Sequence, residues 1–197
     1  RLESRPVEKF RVDAKAEADL IVIGGWEIPA SGRTEDARWF SIVLNRRNAT
    51  WAYLKGEPFR NIASLELVAV LTAIMLFGKG WECDMSRTVM SLSARTDNLG
   101  NTYVLNHFMS CKYPLSIVVM ELAVQLKRLG LEMDLKWVPR GQNSEADSLT
   151  NSEFMGFDSS KRIIVEFEDL KFEVMDKLMA KAADLDDEIK LAKSSKE

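Results

Sequence analysis

The chain has 197 residues, 46% of them apolar and 29% charged, with a net charge of −3 and a pI near 5.4. That is enough for one domain with a substantial core plus an appendage, and no apolar run approaches the roughly 20 residues that span a bilayer, so no membrane partner is expected. The acidic balance is unlike that of a strongly basic nucleic-acid module, but it is uneven: residues 151–197 hold 8 of the 27 Lys and Arg and 12 of the 30 Asp and Glu, which leaves the first 150 residues at +1.

Residues 1–9 begin Arg1-Leu2-Glu3-Ser4-Arg5-Pro6, with no apolar signal core and no initiating Met, and read as a linker cut from a longer polypeptide. A first strand is expected over 10–13, a second over 18–28 with Gly24-Gly25 inside it, and a third over 38–44. The paired glycines predict a bulge or a close backbone approach. Asn45-Arg46-Arg47-Asn48 reads as a turn, and Lys55-Gly56-Glu57-Pro58 breaks the chain ahead of a long helix over 62–77, closed by Gly78-Lys79-Gly80. In that helix Ile62, Leu65, Ala69, Thr72 and Leu76 recur at three- and four-residue spacing, an apolar stripe for packing on a sheet. A fourth strand is expected over 88–96, helices near 99–109 and over 115–129, the second closed by Gly130, and a fifth strand over 131–138, where apolar and polar residues alternate. A loop at 139–143 leads to a short helix. Further on, 162–167 reads as another strand and 173–193 as an amphipathic helix lying on the domain or on a neighbour.

Four acids stand in settings that suit a two-metal nuclease centre. Asp13 ends an extended run, Glu66 interrupts the apolar helix one residue off its stripe, Asp97 follows the fourth strand in Thr96-Asp97-Asn98, and Asp147 follows Ser144-Glu145-Ala146. Mg²⁺ takes oxygen ligands and keeps several waters, so a few carboxylates and substrate phosphate oxygens complete its shell. Two such ions can activate a water and stabilise the leaving oxygen of an in-line displacement, without histidine. The single histidine, His107, falls in a helical segment. Cys83 and Cys111 are far apart with no CxxC or HxxxH partner, which sets zinc aside and agrees with a reduced intracellular setting, cytoplasmic or nuclear. Taken alone, Glu66 reads as a solvated or capping residue and Asp97-Asn98 as a helix N-cap; the four together raise both. Candidate backbone contacts for a nucleic acid include Lys15, Arg46, Arg47, Arg60, Lys112 and Arg140. Trp26 and Trp51, which flank glycine or turn segments, are candidates for base stacking against a default of core packing.

In this order, Val12-Asp13-Ala14, Gly24-Gly25-Trp26, Leu65-Glu66-Leu67, Thr96-Asp97-Asn98 and the run from Trp137 through Pro139-Arg140-Gly141-Gln142-Asn143 to Ala146-Asp147-Ser148-Leu149 resemble the ribonuclease H domain attached to reverse transcriptases of retroelements. The resemblance covers roughly residues 10–151. It implies an α/β ribonuclease H-like fold, a mixed five-stranded sheet flanked by helices, with 152–197 as an acidic, partly helical C-terminal extension. It also implies an endonuclease that uses two Mg²⁺ ions, or Mn²⁺, to cut RNA within an RNA/DNA hybrid, and a polymerase domain in the same parent polypeptide. By position, Asp13 bridges both metals, Glu66 and Asp97 complete the site of the attacking water, and Asp147 holds the second ion. Lys15, Asn98, Arg140 and Asn143 are the expected substrate contacts. Two departures bear on turnover: Lys15 replaces a small polar residue two positions after the first Asp, and the loop before Asp147 lacks the histidine many members carry. The alternative is a catalytically inactive ribonuclease H-like scaffold that binds nucleic acid or protein in a larger assembly, with a junction resolvase or integrase of the same superfamily behind it.

Overall fold

The computed structural model describes residues 7–54, 56–81, 90–96 and 112–195. Strands β1 (Val7–Glu17), β2 (Leu20–Glu27) and β3 (Trp39–Leu44) form an antiparallel meander. Strands β4 (Met90–Thr96) and β5 (Leu131–Trp137) extend it in parallel on the other side of β1, giving the order β3-β2-β1-β4-β5. β1 is the pivot, because it pairs with β4 only from Val7 to Arg11 and then runs on alone on that side to Glu17.

Alternation along β1 to β3 sorts the sheet into two faces. Phe10, Val12, Ala14, Ile21, Ile23, Phe40, Ile42 and Leu44 fall on one face and form the main core with helix α1 (Ile62–Phe77). Trp26 and Trp39 lie on the other with Ala146 and Leu149 of the short helix α3 (Ser144–Thr150). Helix α2 (Leu115–Leu129) packs on the outside of α1 and stops at Gly130, whose φ of 65° is the left-handed conformation glycine tolerates.

α1 occupies the expected residues, but its expected stripe is not what organises it. Sheet on one side and α2 on the other bury Leu65 to Ile74 without interruption, so the helix is apolar nearly all round. The 23-residue segment Pro58–Gly80 is by length and composition capable of crossing a bilayer, contrary to the sequence expectation, and 78% of its most apolar window is buried inside the fold.

Gly24 and Gly25 make no bulge: β2 keeps continuous register with both neighbours. They permit close approach instead. A Cβ on Gly24 would stand 2.9 Å from Leu149 Cβ, and one on Gly25 would meet Phe40 and Val12 at 2.8–2.9 Å. Glycine at 24 therefore lets α3 sit directly on β2.

Residues 162–167 form no strand. Arg162 makes a single parallel bridge with Trp39, flanked by 3-10 turns at Ser159–Lys161 and Phe167–Asp169. The segment covers the edge of β3: Ile163 N–H donates to Trp39 O (2.8 Å), Trp39 Nε1 donates to Asp158 O (2.8 Å), and the Arg162 guanidinium lies over the rings of Trp39 and Phe154. Covering a sheet edge in this way removes a template for unwanted strand pairing. The closing helix α4 (Met175–Ser194) buries Met175 and Met179 against the core and leaves Leu185, Ile189 and Leu191 exposed.

Candidate active site

The acids expected to act together come from three elements. Asp13 of β1 pairs with Gly24 of β2, two residues past the last β1 residue paired with β4, and is only 2% exposed on the α3 face of the sheet. Thr150 Oγ1 donates to Asp13 Oδ2 at 2.6 Å and lies 3.0 Å from Asp147 O. Glu66, 3% exposed, arrives from α1, and its Oε1 accepts the backbone N–H of Ala14 at 3.0 Å. Asp147, in the first turn of α3, is half-buried, and Asn151 Nδ2 donates to its Oδ2 (3.1 Å) and to its backbone oxygen (2.9 Å). Crevices beyond the carboxyl ends of parallel strands are where α/β sheets bind ligands, and Asp13, midway along β1, lies just past the level at which its parallel neighbour β4 ends.

A latch on the preceding loop sets the position of α3. Asn143 Nδ2 donates to Val12 O at 2.8 Å, and Arg11 Nη1 donates to Gln142 O at 3.0 Å. Gly24 then admits Leu149 against β2, and Ser41 Oγ donates to Leu149 O at 2.8 Å. Together these bonds bring Asp147 and Thr150 to Asp13, 134 and 137 residues away in sequence.

The expected substrate contacts are placed differently. Asn143 is 1% exposed and ties the loop to β1, so its place is structural. Lys15 lies on the same face of β1 as Asp13; its Nζ donates to Asn151 Oδ1 at 2.8 Å and stands 3.2 Å from Glu17 Oε2. For Arg140 the structure gives the backbone, in a 3-10 turn, and not the side chain. Asp97, Asn98, His107 and both cysteines lie outside the described residues. Trp26 and Trp51, at 4% and 6% exposure, are core residues and do not offer faces for base stacking.

Thr150 and Asn151 are the supporting residues that the sequence reading missed. Their signal was spacing: on a helix, positions three and four beyond Asp147 lie on its side. Ala14, Lys15, Phe59, Ile62 and Glu66 line an adjoining cleft of about 400 Å³, where Phe59 is 51% exposed.

The donor chemistry fits a hard divalent cation: three carboxylates, each with one oxygen fixed by a protein donor. Among the described residues, no group of three or more metal-ligating side chains closes on one point.

No protein-family model matches the chain, and no curated protein matches it in sequence. Solved structures do. The ribonuclease H1 called LC11, in complex with an RNA/DNA hybrid, superposes with a TM-score of 0.51 at 18% identity, over 73% of this chain and 93% of that one. The ribonuclease H1 of Halobacterium salinarum aligns over 74% of this chain and 95% of its own, at 16% identity and a TM-score of 0.43. The ribonuclease H domain of a Mycobacterium tuberculosis protein aligns over 75% and 94%, at 15% identity and 0.45. At these identities the match to the LC11 enzyme establishes the fold alone, and the fold is ribonuclease H-like.

Proposed function

We propose that this chain is a metal-dependent endonuclease that hydrolyses the RNA strand of RNA/DNA hybrids, and that it serves as the ribonuclease H domain of a retroelement reverse transcriptase. What supports this most is a chain of hydrogen bonds around Asp13: Thr150 Oγ1 holds its carboxylate, the next residue's N–H holds Glu66, and Asn151, beside Thr150, holds Asp147. Orientation of ligands by a surrounding shell of hydrogen bonds is what a working metal site needs. The motif order, with Thr96-Asp97-Asn98 after β4, supports the retroelement assignment.

Asp13, Glu66, Asp97 and Asp147 would hold Mg²⁺, or Mn²⁺ in its place, which supplies activation of the attacking water and charge stabilisation at the scissile phosphate. The chain's own residues do the positioning. Thr150 and the Ala14 N–H fix Asp13 and Glu66 in one conformation, while half-buried Asp147 stays within reach of solvent and substrate. The cleft of about 400 Å³ beside Glu66 is where part of the strand that carries the scissile bond would lie. Recognition through the 2′-hydroxyl and groove shape makes the reaction nearly independent of sequence.

The test is an end-labelled hybrid, offered with Mg²⁺ beside duplex DNA, duplex RNA and a DNA junction. The proposal expects internal cuts in the RNA strand of the hybrid alone, lost in Asp13→Asn. Binding of all hybrids without cleavage would identify an inactive scaffold, and cutting of the junction would move the chain to the resolvase branch.

A further inference from the structure

Lys15 is placed where neither its sequence position nor a surface role accounts for it. Its side chain is 30% exposed, and it shares a face of β1 with Asp13, two residues away. Nζ donates to Asn151 Oδ1 at 2.8 Å, which fixes the amide the other way round, with Nδ2 donating to Asp147 Oδ2 and O. Lys15 is also one of the residues that line the cleft containing Glu66. Its second partner, Glu17, is 74% exposed, and an ion pair that open to water contributes little.

Crowded carboxylates repel one another unless a positive charge stands among them. We propose that Lys15 is a resident counter-cation of this site: through Asn151 it holds Asp147 in place when no divalent cation is bound, and it thereby sets how much divalent cation the site requires. The inference rests on the proposed metal-dependent nuclease and adds a positioning residue to it. A lysine that only decorates the surface has no bearing on metal affinity. One that supplies a unit charge beside the carboxylates lowers it, because a divalent ion must enter against that charge.

The two roles separate in a titration of thermal unfolding with Mg²⁺, in which an ion that binds the native state raises the unfolding temperature. Lys15→Met is expected to unfold at a lower temperature than the natural chain without metal, and to reach half of its Mg²⁺-dependent stabilisation at about three- to tenfold lower Mg²⁺. Lys15→Arg keeps the charge and stays near the natural chain, Glu17→Gln changes neither quantity, and Lys15→Met adds no further metal-free destabilisation to Asn151→Ala. Lys15→Gln serves where the Met variant does not fold. An unchanged Mg²⁺ midpoint in the Met or Gln variant, or the same shift in Glu17→Gln, overturns the role of Lys15 and leaves the nuclease reading standing. If neither the natural chain nor Lys15→Met responds to Mg²⁺ or Mn²⁺, the metal-dependent reading fails and this proposal falls with it. A response in Lys15→Met alone supports the proposal in its strongest form.

Discussion

Among the described residues two glutamates are buried, and they do different work. Glu66 on α1 and Glu121 on α2 are 3% and 0% exposed, and each interrupts an otherwise apolar helical run. Glu121 faces the start of α4: its Oε1 accepts from Glu173 N (2.5 Å) and Gln125 Nε2 (3.2 Å), and its Oε2 accepts from Val174 N (2.9 Å). It holds the chain at Glu173 and Val174, just ahead of the last helix, and so joins that helix to α2. Glu66 takes the N–H of Ala14, next to Asp13, and lines an open cleft. Burial of a carboxylate is thus no mark of a reactive site. What separates the two is what each holds: Glu66 holds the strand at the residue after Asp13 and lines a cleft, whereas Glu121 holds the chain as it enters α4.

Exchanging each acid in turn sharpens that contrast. Glu66→Gln keeps an acceptor for Ala14 N–H, so its unfolding temperature is expected to stay near that of the natural chain. Hybrid cleavage should fall on the order of 100-fold or more, since even residues that only orient metal ligands cost 10- to 100-fold when removed. Glu121→Ala strands the N–H groups at the start of α4 and is expected to lose about 1–3 kcal/mol of stability, with cleavage at saturating Mg²⁺ within about twofold of normal. Denaturant unfolding and single-turnover cleavage of the two variants measure both quantities, and a swap of these outcomes would break the comparison.

The smallest effect lies beside Glu121. Burial, and then the charge of Glu121, push the Asp176 carboxyl above its ordinary value, outweighing the helix dipole that favours an acid in this first turn. The folded chain therefore binds this proton more tightly than the unfolded chain. The resulting stability is fully present below the unfolded value of 3.8 and is lost as pH rises through the higher folded value. Asp176→Asn should then match the natural chain in strong acid and exceed it near neutrality. That burial is only partial and much of the residue meets water, so the gain should be no more than a few tenths of a kcal/mol. Unfolding measured across pH 3–7 shows whether the difference opens in that direction.

The same contrast explains what the sequence could disclose. α1 and α2 were legible to the residue because local chemistry brackets them: Pro58 and Gly78-Lys79-Gly80 around the first, Pro114 and Gly130 around the second. Asp13, Glu66 and Asp147 were legible only as an ordered set. Locally Glu66 and Glu121 look alike, and nothing in either helix says that one faces a cleft and the other a helix start. The aromatic cover on β3 was invisible for a related reason. Trp39 meets Phe154, Phe157 and Arg162 across more than 110 residues, with no periodicity to announce it. Lys15 was visible as a departure from the family pattern, but its grip on Asn151 depends on α3 being seated at Gly24.

Asp13 is proposed to share one divalent cation with Glu66 and a second with Asp147, and a crystal of the chain grown with Mn²⁺ tests this most directly. Anomalous density between these three carboxylates is the predicted result. Density confined to other surfaces, or none at saturating Mn²⁺, would contradict it.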